Sequence, residues 1–283
     1  MKAYLQLLRP HQWLKNLMLL FPPFLGGTLL VGQYSSGQLL WPLVAFCLGS
    51  SASYILNDIC DVEQDRLHAR KKHRPLAAGK VGIHRAVVLA VVFVVVAAAC
   101  AWWVSAGFLM FLLLYLGISL SYSLWLKDLP LIELFCVVSG FVLRLLAGGE
   151  AYGVVISDWL FLSVFLLALF LVSGKRLSEL RYEGGETPGH IRPVLTCYPK
   201  GFLEGCMLLS GSAVLVTYTM YVISHQSTIW VVPLSCFGLL AFWMRVLSGR
   251  GGDPTRALLR DPILFIVGFL WVLLVGWGIY VGS

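Results

Sequence analysis

Charge is scarce in this chain. Only 12% of its 283 residues are Asp, Glu, Lys or Arg, whereas 59% are hydrophobic, and the mean hydropathy is +0.83. A soluble domain carries about a quarter charged residues. This composition excludes a soluble globular enzyme, a disordered chain and a nucleic-acid-binding domain, and it indicates a protein that lies in a lipid bilayer.

Paired cysteines are also absent. The seven cysteines form no CxxC motif and mostly lie in apolar stretches, so they are interpreted as small buried hydrophobic residues. The six histidines show no spacing typical of metal ligands. The sequence therefore predicts neither a disulfide framework nor a zinc site.

Long apolar runs dominate instead. The forty-one residues Ala86–Leu126 carry no charge, and as one helix they would extend about 61 Å, roughly twice the thickness of a hydrocarbon core. This run predicts two spans joined by a tight turn at residues 105–107. The same reasoning predicts an all-α polytopic bundle of about nine transmembrane helices, forming a single domain over residues 1–283. The predicted spans are Leu17–Leu30, Leu39–Leu56, His84–Val104, Phe108–Leu126, Leu131–Ala147, Trp159–Leu177, Phe202–Ile223, Ile229–Leu247 and Ile263–Val281.

The basic residues give the bundle an orientation. The net charge is +7, and twenty of the 21 Lys and Arg fall in loops on one side. The positive-inside rule predicts that these loops and the N-terminus are cytoplasmic, in the cell inner membrane. Residues 1–16 are predicted to form an interfacial amphipathic segment. The exception is Arg144, inside the fifth span, which needs an acidic or phosphate partner; an ion pair that fixes packing and a ligand contact both remain open.

An aspartate motif stands at the cytoplasmic end of the second span. Spacings of three and four residues place Asp58, Asp61 and Asp65 on one helical face, with Asn57 alongside. Like charges so close at a membrane boundary repel one another unless cations bridge them. Hard oxygen ligands favour Mg²⁺, which takes one or two carboxylates together with water and substrate phosphates. The alternative interpretation is a solvated helix end with incidental acids.

A basic cluster follows this motif directly. Carboxylates that hold a metal beside cations that hold phosphate indicate a diphosphate-binding site. For Lys71 and Lys72, the positive-inside rule is a sufficient explanation, and no ligand contact is needed to account for them. The cluster comprises Arg66, Arg70, Lys71, Lys72, Arg74 and Lys80.

Two further polar groups are predicted on the same side of the membrane. They are Tyr122, Ser123, Lys127 and Glu133 after the fourth span, and Lys175, Arg176 and Glu179 at the end of the sixth. Lys175 and Glu179 are one turn apart, so a simple helix-end charge pair also explains the second group.

The NDxxDxxxD run, the following Arg74-Pro75 and Gly79, and the nine predicted spans together resemble the UbiA superfamily of membrane prenyltransferases over essentially the whole chain. The resemblance implies a helical bundle whose cavity opens to the cytoplasmic side and to the bilayer. It further implies that Mg²⁺ bound to Asp58, Asp61 and Asp65 holds a diphosphate leaving group.

One departure points to a branch of this superfamily. Aromatic prenyltransferases carry a DxxxD motif on the sixth helix, where this sequence has Lys175-Arg176-Leu177-Ser178-Glu179. The departure favours similarity to decaprenyl-phosphate phosphoribosyltransferases. That similarity extends to Arg9–Asn16, to Tyr122–Lys127, to Gly140–Arg144 and to Gly252-Asp253-Pro254, whereas Glu133 stands where an Asp is expected.

The implied reaction joins 5-phosphoribosyl diphosphate to a polyprenyl phosphate, with Mg²⁺ as cofactor and diphosphate as the second product. Phosphates of the donor are expected to meet Arg66, Arg74 and Lys80, while Lys127, Lys175, Arg176 and Tyr122 orient the donor's 5-phosphate or the lipid phosphate. The other expected substrate-binding residues are Lys15, Asn57, Ser123, Glu133, Arg144 and Glu179.

Two alternative functions follow from the same residues. The first keeps the fold but uses a prenyl diphosphate donor and an aromatic or other small acceptor. The second is an ion-coupled transporter, which predicts polar groups that continue to the opposite face. Only Glu150, Asp158 and His225 are found there, so the transporter is disfavoured.

Overall fold

The computed structural model describes residues 2–67, 71–183, 193–225 and 228–282, and the regular structure in these ranges is helical. The α-helices are α1 (Lys2–Leu8), α2 (Phe21–Leu25), α3 (Ser36–Cys60), α4 (Val62–Leu67), α5 (Ile83–Val104), α6 (Ala106–Leu124), α7 (Ile132–Tyr152), α8 (Asp158–Ser178), α9 (Pro193–Thr196), α10 (Phe202–Ser224), α11 (Val231–Leu247), α12 (Pro254–Arg260) and α13 (Pro262–Tyr280). Shorter pieces are the 3₁₀ helices Pro10–Leu20, Lys71–His73 and Leu126–Asp128, and the π-helical turn Glu179–Glu183.

Seven helices in the described ranges are long and apolar enough to cross a bilayer, namely α3, α5, α6, α7, α8, α10 and α13. Helix α11 is apolar but has only 17 residues. The chain is therefore an all-α, multi-pass membrane protein, as predicted. The count of about nine spans is not confirmed.

The predicted first span, Leu17–Leu30, is not one helix. The stretch contains the end of the Pro10–Leu20 3₁₀ helix, then the short α2, then turns. Pro22 and Pro23 lack N–H donors and fit only the first turn of a helix. The carbonyl of Pro23 then accepts the N–H of Leu29 at 3.0 Å, which turns the chain.

The predicted turn within the long uncharged run is confirmed. Helix α5 ends at Val104 and α6 begins at Ala106. The Ser105 hydroxyl accepts the N–H of Phe108 at 3.0 Å and caps α6, because the first N–H groups of a helix have no partner within it.

The N-terminal segment packs on the bundle. Leu7 and Asn16 are fully buried, and the indole N–H of Trp13 donates to Ser51 of α3 at 3.0 Å. The Pro10–Leu20 helix also contacts α3, α7 and α12. These contacts bring the polar residues of the segment, Arg9 and Lys15, to the end of the bundle that carries the aspartates.

Candidate active site

The three aspartates do not share one continuous helical face. Helix α3 ends at Cys60 and α4 begins at Val62, so Asp61 lies in the turn between them. The break separates the motif into two groups: Asp58 and Asp65 contact one shared cation, and Asp61 contacts another. Backbone N–H groups of Asp61 and Asp65 still donate to the residues four positions earlier, at 3.0 and 2.8 Å, so the three carboxylates stay near one another in two neighbouring ion-pair networks.

Asp58 and Asp65 converge on Arg74. One guanidinium nitrogen of Arg74 donates to Asp58 at 3.0 Å and to Asp65 at 2.6 Å. Arg9 donates to the same Asp58 oxygen at 2.5 Å. Both carboxylates are buried, so two guanidinium groups neutralise charges that would otherwise be costly in this environment. We call this group the Asp58–Arg74–Asp65 site.

Arg9 reaches Asp58 from an unusual backbone conformation. Its φ angle is 51°, in the left-handed region. This backbone conformation costs a residue with a Cβ about 1–2 kcal/mol of conformational free energy. The charge-assisted hydrogen bond to Asp58 offsets this cost.

Asp61 belongs to the second network. It forms an ion pair with Lys127, and its other oxygen accepts from the Asn57 amide at 2.9 Å. The Ser123 hydroxyl donates to the side-chain oxygen (Oδ1) of Asn57 at 3.3 Å. The end of α3 is thereby joined to the exit of α6, and four predicted site residues are brought together.

Arg176 forms the centre of a third network, at the end of α8. It donates to both oxygens of Glu133, at 3.0 and 2.8 Å, and to Glu179 at 2.8 Å. It also donates to the Tyr122 hydroxyl at 3.2 Å. Arg176 and Glu133 are buried. The helix-end charge pair therefore involves Arg176 and Glu179, whereas Lys175 lies near a different acid, Asp253.

Tyr198 completes this third network. Its hydroxyl donates to Glu133 at 3.4 Å and accepts the Leu131 N–H at 3.0 Å. Burial raises the pKa of Tyr198 to about 12, so the hydroxyl keeps its proton and can donate at neutral pH.

Arg144 is buried without a carboxylate partner among the described residues. Its guanidinium donates to Asn16 at 2.8 Å, to the Gly140 carbonyl at 2.5 Å and to the Tyr115 hydroxyl at 3.1 Å. It also lies over the Tyr115 ring, 4.5 Å from the centroid. Hydrogen bonds to neutral groups fix its position and leave its positive charge uncompensated.

Lys175 and Lys15 lie near Asp253. The Lys175 ammonium is 3.7 Å from the Asp253 carboxylate, which also accepts the Arg256 N–H at 2.9 Å and caps α12. Burial works to raise the pKa of Asp253, but Lys175, the Arg256 N–H and Lys15 hold it below its usual value. Burial lowers the pKa of Lys15, and Arg144 lowers it further.

Only some of the basic residues in the loop after α3 lie in the site. Arg74 lies within the site, but Arg66 is exposed and bonds to the exposed Glu63 at 2.8 Å. Lys80 is exposed too. Arg70, also predicted in this cluster, lies outside the described residues.

Three residues at this end of the bundle were not predicted as site residues. They are Arg9, Asn16 and Asp253. Arg9 and Asn16 flank Lys15 in a short polar stretch of an apolar chain, and that pattern was a usable signal. Nothing local in the sequence shows that Asp253 meets Lys175, because packing between distant segments creates this contact.

An apolar groove of about 860 Å³ runs between α6 and α7. It extends from Ala106 and Met110 at one end, past Gly117 and Phe135, to Leu126 at the other. Leu126 immediately precedes Lys127, so the groove ends beside the second network.

Comparison with known proteins agrees with this architecture. The model of the UbiA prenyltransferase family matches residues 19–273. The decaprenyl-phosphate phosphoribosyltransferase of Mycolicibacterium smegmatis is 31% identical and aligns over 96% of this chain and 91% of its own length. The protein of the same name from Mycobacterium tuberculosis (strain CDC 1551) is 33% identical over 95% of this chain and 91% of its own.

Solved structures give the same fold. A UbiA homolog from Archaeoglobus fulgidus bound to DMAPP and Mg²⁺ superposes with a TM-score of 0.75 and 21% identity, over 98% of both chains. The match of the family model and the whole-length relatives lead to one conclusion: this chain belongs to the UbiA prenyltransferase family.

Proposed function

We propose that this chain moves the 5-phosphoribosyl group of phosphoribosyl diphosphate to a polyprenyl phosphate and releases diphosphate. The observation that carries the proposal is the end of α8, where this chain has Lys175 and Arg176 and the resemblance implies acids in aromatic prenyltransferases. Of these two, Lys175 suits the approach of a phosphorylated substrate, because Arg176 already contacts Glu133 and Glu179. The names of the whole-length relatives support the same substrate class.

Mg²⁺ is the proposed cofactor, and Asp58 and Asp65 are the residues that would hold it. Their oxygens face the same Arg74 nitrogen, which is the convergence that a bridging cation needs. Among the described residues, no three His, Cys, Asp or Glu side chains converge on one metal position. Two carboxylates nevertheless fit Mg²⁺, which completes its shell with water and substrate phosphates. A bound Mg²⁺ supplies charge neutralisation for the departing diphosphate.

The proposed chemistry is a displacement at C1 of the ribose. An oxygen of the lipid phosphate forms the new bond to C1, while the bond from C1 to the diphosphate oxygen breaks and the diphosphate leaves with the electron pair. The attacking phosphate is already anionic, so it needs no strong general base. Arg74 contacts Asp58 and Asp65, so it would neutralise charge that develops on the leaving group once a metal holds those two carboxylates.

The α6–α7 groove is proposed to hold the isoprenoid chain of the acceptor. Its lining is apolar and it ends beside Lys127, so a chain lying in it would bring its phosphate to the polar end of the bundle. Prenyltransfer from a prenyl diphosphate is the competing activity, because a diphosphate would fit the Asp58–Arg74–Asp65 site equally well.

The polar end is proposed to face the cytoplasm, in the cell inner membrane. The donor is water-soluble and highly charged, and the loops at this end carry nearly all the basic residues.

A transfer assay with the purified protein tests the proposal. Radiolabelled phosphoribosyl diphosphate, polyprenyl phosphate and Mg²⁺ should give a labelled lipid fraction, and Asp58→Asn should lower the rate by about 100-fold or more. Asp128→Asn is the matched control, because Asp128 is exposed and its rate should stay near that of the wild type. No label in the lipid, together with turnover of a prenyl diphosphate and an aromatic acceptor, would refute the proposal in favour of the competing activity.

A further inference from the structure

The cations at the polar end differ in how far they are neutralised. Lys127 is paired with Asp61. Arg176 contacts Glu133 and Glu179, both at 2.8 Å. These cations cannot accept a new anion without giving up a carboxylate.

Lys15 and Arg144 are different. Neither has a carboxylate within ion-pair distance among the described residues, although Lys15 is half-buried and Arg144 is buried. Lys175 has Asp253 only at 3.7 Å, and Glu179, the other acid near Lys175, is already held by Arg176. An uncompensated positive charge at a membrane protein's polar end is costly unless an anion joins it.

Backbone packing brings Lys15, Lys175 and Asp253 together. A Cβ on Gly252 would lie 2.5 Å from the Gly174 carbonyl oxygen, so only glycine lets the loop before α12 approach the end of α8 this closely. Helix α12 also contacts the 3₁₀ helix Pro10–Leu20, which carries Lys15. The depressed pKa of Asp253, caused by Lys175 and Lys15 against the effect of burial, reflects the same proximity.

We infer that Lys15 and Lys175 bind a phosphate monoester group at a site separate from the Asp58–Arg74–Asp65 site. Arg144 acts as a positioning residue: its N–H groups are taken by Asn16, Gly140 and Tyr115, so it fixes the segment that carries Lys15 and adds positive potential. Asp253 contacts the Lys175 ammonium at 3.7 Å in the absence of ligand. The inference deepens the proposed function and rests on it, because both proposed substrates carry a phosphate monoester: the donor at its 5-position and the lipid at its head.

Two soluble inhibitors separate the two sites. Ribose 5-phosphate probes the monoester site and inorganic diphosphate probes the Asp58–Arg74–Asp65 site, both measured against transfer by the full-length protein. Lys15→Met and Lys175→Met should each weaken inhibition by ribose 5-phosphate about tenfold or more, the usual effect of losing a charged hydrogen bond. Inhibition by diphosphate should stay within about twofold of wild type, since a site held by other residues keeps its binding energy.

The KM values identify which phosphate occupies the site. A rise in the KM for phosphoribosyl diphosphate assigns the site to the donor's 5-phosphate, and a rise in the KM for polyprenyl phosphate assigns it to the lipid head. Lys15→Arg should restore most of the affinity because it restores the charge. Lys200→Met is the matched control, since Lys200 is exposed on the same side of the bundle, and it should leave both inhibition constants unchanged.

Two results would overturn the inference. In the first, both inhibitors weaken equally, which would mean one shared site. In the second, neither lysine variant differs from Lys200→Met in inhibition by ribose 5-phosphate or in either KM value. If the wild-type protein transfers no phosphoribosyl group, the proposed function fails, and direct calorimetric binding of ribose 5-phosphate to the wild type and the lysine variants still decides the inference.

Discussion

Arg74→Gln removes the cation that joins two buried carboxylates. In the wild type, Asp58 and Asp65 have 2% and 4% of their side chains exposed, and both accept from one nitrogen of Arg74. Gln keeps much of the length of the side chain but carries no charge. Asp58 keeps Arg9 as a partner, whereas Asp65 has no other ion pair among the described residues.

The size of the effect follows from this asymmetry. Removing one partner of a buried ion pair costs about 3–5 kcal/mol, and because Asp58 remains paired we expect a loss near the lower end, about 3 kcal/mol. Mg²⁺ that binds the same carboxylates must displace Arg74 in the wild type but not in the variant. The variant should therefore bind Mg²⁺ about 100-fold more tightly, since each 1.4 kcal/mol corresponds to about a factor of ten.

Thermal unfolding of the detergent-solubilised protein over a Mg²⁺ titration measures both effects. Without Mg²⁺, Arg74→Gln should unfold at a lower temperature than the wild type, and Mg²⁺ should raise that temperature more in the variant. Arg66→Gln is the stability control: its partner Glu63 is exposed, and exposed pairs contribute about 0–1 kcal/mol. Equal Mg²⁺ responses in wild type and Arg74→Gln would refute the reasoning that cation and metal compete for the same oxygens.

Three further changes test other parts of the structure. Gly117→Leu should raise the KM for long-chain polyprenyl phosphate about tenfold and leave the KM for a short-chain analogue unchanged. The reason is that a side chain at Gly117 meets no atom within 4 Å and enters the groove. Gly205→Leu, equally open but outside the groove, should leave both KM values unchanged. Burial acts to raise the pKa of Asp261, but hydrogen bonds from Arg245 and from two backbone N–H groups hold this pKa below its usual value. The Asp261 carboxylate therefore stabilises the fold above the unfolded pKa of about 4, and this stabilisation is lost as the pH falls. Arg245→Gln should therefore lower the thermal midpoint clearly at pH 7 and much less at pH 3, and an equal shift at both pH values would exclude this linkage. Tyr198→Phe should lower stability by about 1 kcal/mol, because the Leu131 N–H loses its acceptor, and an unchanged midpoint would show that water replaces the hydroxyl.

Much of the architecture could be predicted because it depends on local patterns. The uncharged run of residues 86–126 exceeds one bilayer thickness, and the structure turns at Ser105 as expected. The acids and bases predicted on one side also meet at one end of the bundle. Hydropathy did not reveal that Leu17–Leu30 is broken, because it counts apolar side chains and not the backbone donors that Pro22 and Pro23 lack.

The partners of the aspartates could not be predicted. Helical spacing predicts that Asp58, Asp61 and Asp65 lie near one another, but it does not show which cations they contact. Arg74 is 16 residues from Asp58, and Lys127 is 66 residues from Asp61. These pairs depend on how separate helices pack, which no local spacing encodes. For the same reason the sequence did not show which cations lack a carboxylate.

The division between neutralised and uncompensated cations predicts how the two phosphate groups bind. At the Asp58–Arg74–Asp65 site the two carboxylates already engage Arg9 and Arg74, so no positive charge is left over to bind a diphosphate, which therefore requires a metal. At Lys15 and Lys175 the charge is already positive, so a phosphate monoester needs no metal. Ribose 5-phosphate should therefore bind with equal affinity in Mg²⁺ and in excess EDTA, whereas diphosphate should bind only in Mg²⁺, as measured by calorimetry on the same preparation. Loss of ribose 5-phosphate binding on chelation would contradict this separation, because it would place both phosphate groups on one metal-dependent site.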